Sequence, residues 1–445
     1  MNFPVWDPPL LGGGVLIGVV AILHVFVAHF AVGGGLFLVL TEARAYREND
    51  LGLLAYVKRH SLFFVLVVLV FGAVSGVGIW WTIGLVHPSA TSTLIHVFVW
   101  GWAIEWVFFL VEIAAAFVYY YGWERLDPKT HLRVGWIYFA AAWLSLAVIN
   151  GILTFMLTPG DWILTRRFAD GFFNPTMLPS LLVRSAVAVA LAGLYALLTA
   201  SVIEYHGLRC RVTRHAAGWV LAGCLPLPVL GAWYVSRIPP LAREISMGGA
   251  PAVTIFAGLS VALSAFIVLL AYFGPFRRPE QTGVVLVAAI AFLGLGVTGV
   301  TEWVREAVRK PYIIYGYMYS NGIRVEDEAR TRERGILATA KWVTSRDVDD
   351  PDWRRTGYEI FRVECRSCHT VDGYNGIRLM VKGWREDFID YQLKHLSELK
   401  GFMPPFVGTD EERRVLARWL AEIGGQKPFT PLFLRANLGA REARP

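Results

Sequence analysis

Charge is scarce in this chain. Asp, Glu, Lys and Arg supply 17% of its 445 residues, while 55% are hydrophobic and 14% aromatic. A large soluble protein cannot clothe its surface with so few charges, so the composition is that of a polytopic membrane protein. The net charge of +7 does not point to nucleic acid, because the basic residues sit in short stretches between apolar runs. Cysteine is also rare, with four in all. Cys210 falls in a short basic stretch and Cys224 in an apolar run, which argues against a disulfide framework. A cleavable leader is missing as well: the first apolar run is too long and lacks a basic start, so it reads as a retained helix. No internal repeat of obvious period is present.

Eight apolar runs are long enough to cross a bilayer, at roughly 11–41, 61–86, 92–121, 134–157, 179–204, 215–235, 251–273 and 282–304. The stretches after runs one, three, five and seven carry twelve Lys and Arg. The opposite loops carry four, namely Arg166, Arg167, Arg237 and Arg243. Positive loops stay on the cytoplasmic side, so both ends of the chain are expected outside the cytoplasmic membrane. The fold class is all-α: a bundle of about eight transmembrane helices over 1–320, with an all-α domain at 351–425. A polar, charge-rich linker at 321–350 joins them, and an extended tail at 426–445 follows.

Cys365-Arg366-Ser367-Cys368-His369 is the attachment pattern for a c-type haem. The two thiols add to the haem vinyls, and the adjacent imidazole takes one axial position on the iron. Met403, beside Pro404 and Pro405, is the expected sixth ligand, with His395 and Met380 as rivals. Gly357-Tyr358-Glu359-Ile360-Phe361 precedes the motif with helical spacing. An amphipathic helix closes the domain at 409–423, with Thr409 as its N-cap. This region resembles a class I cytochrome c domain. Such haem is attached outside the cytoplasmic membrane, which agrees with the charge bias.

Ionisable groups inside apolar runs are costly and therefore candidates for function. His24 lies near the middle of the first run, where a neutral imidazole could ligate haem iron or bond to a neighbouring helix. His29 is about 140° further round the helix. Gly33-Gly34-Gly35 would admit a flat cofactor or another helix. Glu105 and Glu112 share a face of the third run, about 10 Å apart along its axis, as a proton relay requires or as two acids hydrogen-bonded for helix packing would be. At the end of the last run, Glu306 could pair with Lys310, or ligate iron while Arg309 and Lys310 hold haem propionates.

Taken together, these positions resemble subunit I of the cytochrome bd-type terminal oxidases. The carriers are Leu23-His24-Val25-Phe26 with Gly33; Ala103-Ile104-Glu105 and Phe108-Phe109-Leu110-Val111-Glu112; Gly122-Trp123-Glu124-Arg125-Leu126; and Glu306-Ala307-Val308-Arg309-Lys310-Pro311-Tyr312. His131 and Asn150 match family-like positions nearby. The resemblance implies that His24 and Glu306 ligate haem, that Arg309 partners a propionate, and that Glu105 and Glu112 serve the haem site and its protons. It also implies one or two haem b or haem d groups and a second, bd-like membrane subunit. The chain departs from the pattern where the family keeps its low-spin haem. Arg184 occupies the expected histidine position, the seventh run has no methionine, and the quinol-contacting loop shrinks to about 236–250.

Two readings follow. In the first, a bd-like oxidase subunit receives electrons from a c-type cytochrome through its own haem c and reduces oxygen in the bundle. In the second, the chain is an electron-transfer subunit of a larger respiratory complex, linking a quinol-side partner to an external cytochrome without oxygen chemistry of its own.

Overall fold

The computed structural model describes residues 5–425; the tail expected at 426–445 lies outside the described residues. Among the described residues, eight helices are long and apolar enough to cross a membrane. They are α1 (Gly12–Glu48), α2 (Leu51–Val86), α3 (Val99–Gly122), α4 (Pro128–Phe155), α5 (Met177–Ala200), α6 (His206–Arg237), α7 (Pro251–Phe276) and α8 (Val284–Ala307). They follow the eight apolar runs, with longer ends where caps hold polar turns in place. Asn49, in the left-handed conformation at φ 51°, closes α1, and the Asp50 side chain accepts from Leu53 N to open α2. Asp127 accepts from Lys129 N and Thr130 N ahead of Pro128, which sits in the first turn of α4.

The centre of the bundle is α1, whose residues from Phe30 to Gly35 are all buried. A side chain at Gly33 would run into the backbone of Ala188 on α5, and one at Gly35 into the ring of Tyr138 on α4. The glycine triplet therefore admits helices and rings. Gly193 and Gly223 let α5 and α6 meet in the same way. By contrast, α7 and α8 each bury few residues completely.

After α8 the chain forms a hairpin of β1 (Tyr312–Ile314) and β2 (Met318–Tyr319). The segment 321–350 is more than a tether. It contains α9 (Glu328–Arg334) and α10 (Ile336–Thr339), and Ile336 and Leu337 enter the core of the C-terminal domain. An apolar pair inside a charged run is buried because Glu412 accepts from both of their amides, at 2.8 and 2.9 Å. The same carboxylate completes a capping box with Thr409 at the start of the last helix. That domain is built from α11 (Trp353–Glu364), α12 (Glu386–Lys394) and α13 (Asp410–Gly425) around Ile360, Phe361, Leu416 and Leu420.

The C-terminal domain packs against the start of the chain. Tyr374 N donates to Leu10 O at 2.7 Å, and Arg366 lies 3.8 Å from Asp7. These contacts put residues 7–12 and 366–374 at the same end of the bundle.

Candidate functional site

Cys365 and Cys368 are free thiols on one turn after α11, where Cys368 N and His369 N both bond to Cys365 O. His369 Nδ1 donates to Asn375 O at 3.0 Å, and Asn375 is itself tied to Cys368 O at 2.7 Å. A carbonyl can only accept, so this bond fixes the ring with its Nε2 lone pair free, the arrangement an iron ligand requires. Burial, aided by Lys310, holds the imidazole below its usual pKa and so neutral near pH 7. Burial alone would raise the Cys368 thiol, but the Lys310 ammonium with the Ser367 and Ser320 hydroxyls outweighs it and brings the thiol below its ordinary range. Met403 and Met380 both line the cavity in front of His369. His395 does not, being paired with Glu398 at 3.0 Å. These residues fit a covalently attached haem.

The same cavity runs into the bundle. It is continuous, about 2550 Å³, and its lining includes Cys365, His369 and Met403 at one end and His24, Glu105 and Glu112 at the other. Lys310 and Glu306 lie on the lining as well. In the bundle, Ser75 Oγ donates to Phe71 O at 2.8 Å, so it accepts from His24 Nδ1 at 3.1 Å. That leaves the Nε2 lone pair of His24 for the cavity. Glu306 pairs with Arg309 and lies 3.7 Å from Lys310. Both local readings of this turn therefore have a basis, the ion pair in the contacts and the ligand in the position on the cavity wall. Arg309 Nε and Arg184 Nε are buried without hydrogen-bond partners among the described residues, and both residues line the cavity. Guanidinium nitrogens left unbonded in a low-dielectric site suit carboxylate groups such as haem propionates.

The two acids of α3 belong to a longer ladder. Ser145 donates to Glu105 at 2.9 Å, and the Tyr138 hydroxyl lies 3.0 Å from Glu112 and 3.1 Å from Ala31 O. One hydroxyl proton serves one acceptor at a time, so protonation of Glu112 completes both bonds. Seven residues further along each helix come Tyr119 and His131. His131 Nε2 donates to Tyr119 O at 2.8 Å, and its Nδ1 lies 2.7 Å from Glu42 Oε1. Tyr119 donates to the other Glu42 oxygen at 2.6 Å. Glu42, fully buried, is the residue that sequence reasoning missed. The sevenfold spacing of 105, 112 and 119 against 145, 138 and 131 was the available signal for the ladder, and it does not point to Glu42. Asn150 joins helices, donating to Met177 O and accepting from Ser180.

Residues 15–234 match the family model described as cytochrome bd terminal oxidase subunit I. Residues 353–420 match the model described as cytochrome c oxidase, cbb3-type, subunit III. The fold is similar to the solved bd oxidase structure from Geobacillus thermodenitrificans, with a TM-score of 0.61 and 17% identity over 70% of this chain and 89% of that one. No match was found among curated proteins.

Proposed function

We propose, for a chain whose membrane bundle belongs to the cytochrome bd terminal oxidase subunit I family and which carries a cytochrome c domain, that it is the cytochrome c-fed subunit of an oxygen reductase. The observation that carries this reading is the single cavity shared by the Cys365/Cys368/His369 motif and the bundle residues His24, Arg184 and Arg309. When bound, haem c and the bundle haems would supply electron storage and the reduction of oxygen. The protein's part is placement. Cys365, Cys368, His369 and Met403 would hold haem c, and His24 Nε2 and Glu306 would serve the high-spin centre of the bundle, with one protein ligand per high-spin iron so that a position stays open for oxygen. Arg309 and Lys310 lie where carboxylates of either group could be held.

Protons would be handled by carboxyl oxygens. Glu112 Oε1, set against the Tyr138 hydroxyl, holds a proton and passes it outward to Glu105, whose oxygen is held by Ser145. Both acids line the cavity, so water can bridge the step of about 10 Å between them. The domain limits 1–320, 321–350 and 351–425 serve this division of labour, with the middle segment packed into the haem domain. The bundle would sit in the cytoplasmic membrane with both ends outside. The outward apolar face of α3, with Trp100, Trp106, Val107 and Leu110, would meet lipid or a second bd-like subunit.

The test is to reduce the purified complex separately with a quinol and with a reduced c-type cytochrome. The cytochrome should reduce the bundle haems quickly and the quinol should not. Rapid quinol-driven reduction in a variant lacking Cys365 and Cys368 would overturn the reading. Absence of any haem beyond haem c in a pyridine-haemochrome assay would favour the electron-transfer subunit instead.

A further inference from the structure

The cavity contains a second imidazole for which the reading above has no use. His29 is 4% exposed and lines the cavity with His24. Its Nδ1 donates to Val25 O at 2.8 Å, which leaves the Nε2 lone pair without a hydrogen-bond partner among the described residues. Successive spans alternate in direction, so α1 and α5 run the same way. They touch where Gly33 faces Ala188. One turn outward from that contact on each helix stand His29 and Arg184. The charges of Arg184 and Glu302 both act on His29. Glu302, however, is bound by Arg305 at 2.6 and 2.9 Å, and Arg184 Nε has no hydrogen-bond partner among the described residues.

Two unmet demands thus lie side by side in a low-dielectric site: a lone pair without a partner, and a guanidinium that shares the one carboxylate of Glu302 with Arg305 and keeps its Nε unbonded. Water can satisfy the first and a carboxylate the second. A haem satisfies both, with iron for the imidazole and propionate for the arginine. We propose that His29 is an iron ligand for a haem in the bundle, separate from the one at His24, with Arg184 holding a propionate of the His29 haem. The separation follows from helix geometry. Five residues turn His29 about 140° from His24 and displace it about 7.5 Å along the axis, so the two rings do not oppose each other across one iron.

The inference rests on the bundle binding haem at all, and the experiment separates the two questions. Non-covalent haem is measured per haem c by pyridine haemochrome in the purified full chain with whatever subunits accompany it. Wild type should hold non-covalent haem, and its absence would overturn the functional reading itself. In His29→Ala and His24→Ala the ratio should fall by about half in each case, with loss of different spectral components. Added imidazole should restore the His29→Ala component. His29→Gln, which preserves size and polarity, should lose the same component if alanine compromises folding, with haem c content as the internal standard. Arg184→Gln should retain the haem and lower its midpoint potential, because removing a nearby positive charge favours the oxidised form. An unchanged non-covalent haem ratio and spectrum in both His29 variants would overturn the proposal and leave His29 as a water-bonded packing residue.

Discussion

At the scale of single residues, the haem c motif was legible because its chemistry is local: two thiols and an imidazole within five residues. Its sixth ligand was less so. In the structure His395 pairs with Glu398, while Met403 and Met380 lie on the cavity wall. We expect Met403→Ala to make haem c high-spin or to lower its potential while the bundle spectrum stays unchanged, whereas Met380→Ala should leave haem c unaltered. The reverse outcome in paired visible spectra would move the ligand to Met380. Glu42 was illegible because it sits in Thr41-Glu42-Ala43-Arg44, a stretch that reads as a charged helix end. Its partners Tyr119 and His131 lie 77 and 89 positions away. Glu112→Gln keeps a side chain of the same size but cannot give up a proton at neutral pH. Oxygen uptake should therefore fall about 10–100-fold, with little change in the rate of reduction by the donor. Equal uptake by mutant and wild type under saturating donor would remove Glu112 from the proton route.

At the scale of elements, apolar length found all eight spans, but their ends were set by capping residues that hydropathy does not register. The second span begins at Leu51, ten residues before its expected start: Asp50 caps its first turn, and the next turns bury Tyr56 and Val57 and bring Lys58 to Glu124. Polar turns extend a helix when their charges find partners. The glycine triplet left open whether a cofactor or a helix approached, and the answer is a helix backbone at Gly33. Gly33→Ala should push α1 from α5 and cost about 1–3 kcal/mol of stability. A thermal melt in detergent would register it, and an unchanged midpoint would show that the two helices can separate freely. Gly14, which meets no neighbouring atom, is the natural control.

At the scale of the whole molecule, the cytochrome domain is docked as well as connected. Glu364 is part of the joint: it accepts from Val407 N at 3.1 Å within the domain and from Asn321 at 3.0 Å on the segment leaving the hairpin. Burial and, to a smaller degree, the charge of Glu412 push its carboxyl up to about 8, against the pull of Val407 N and Asn321. The folded domain therefore keeps a proton that the unfolded chain releases near pH 4.5. Stability should be fullest below that value and decline as pH rises toward about 8. A Soret-monitored melt should show this slope in wild type and a flatter one in Glu364→Gln; identical slopes would assign the dependence to other groups. The docking was not legible in sequence, since the 321–350 segment has the composition of a free linker and only the buried pair Ile336 and Leu337 betrays its role. The contact between Leu10 and Tyr374 also has a consequence for the order of synthesis. Residues 7–12 are synthesised before the eight membrane spans and residues 366–374 after them, so the two halves of this joint meet only once those spans have been made. Until haem is attached and the domain closes on residues 7–12, each nascent chain exposes an unfinished edge.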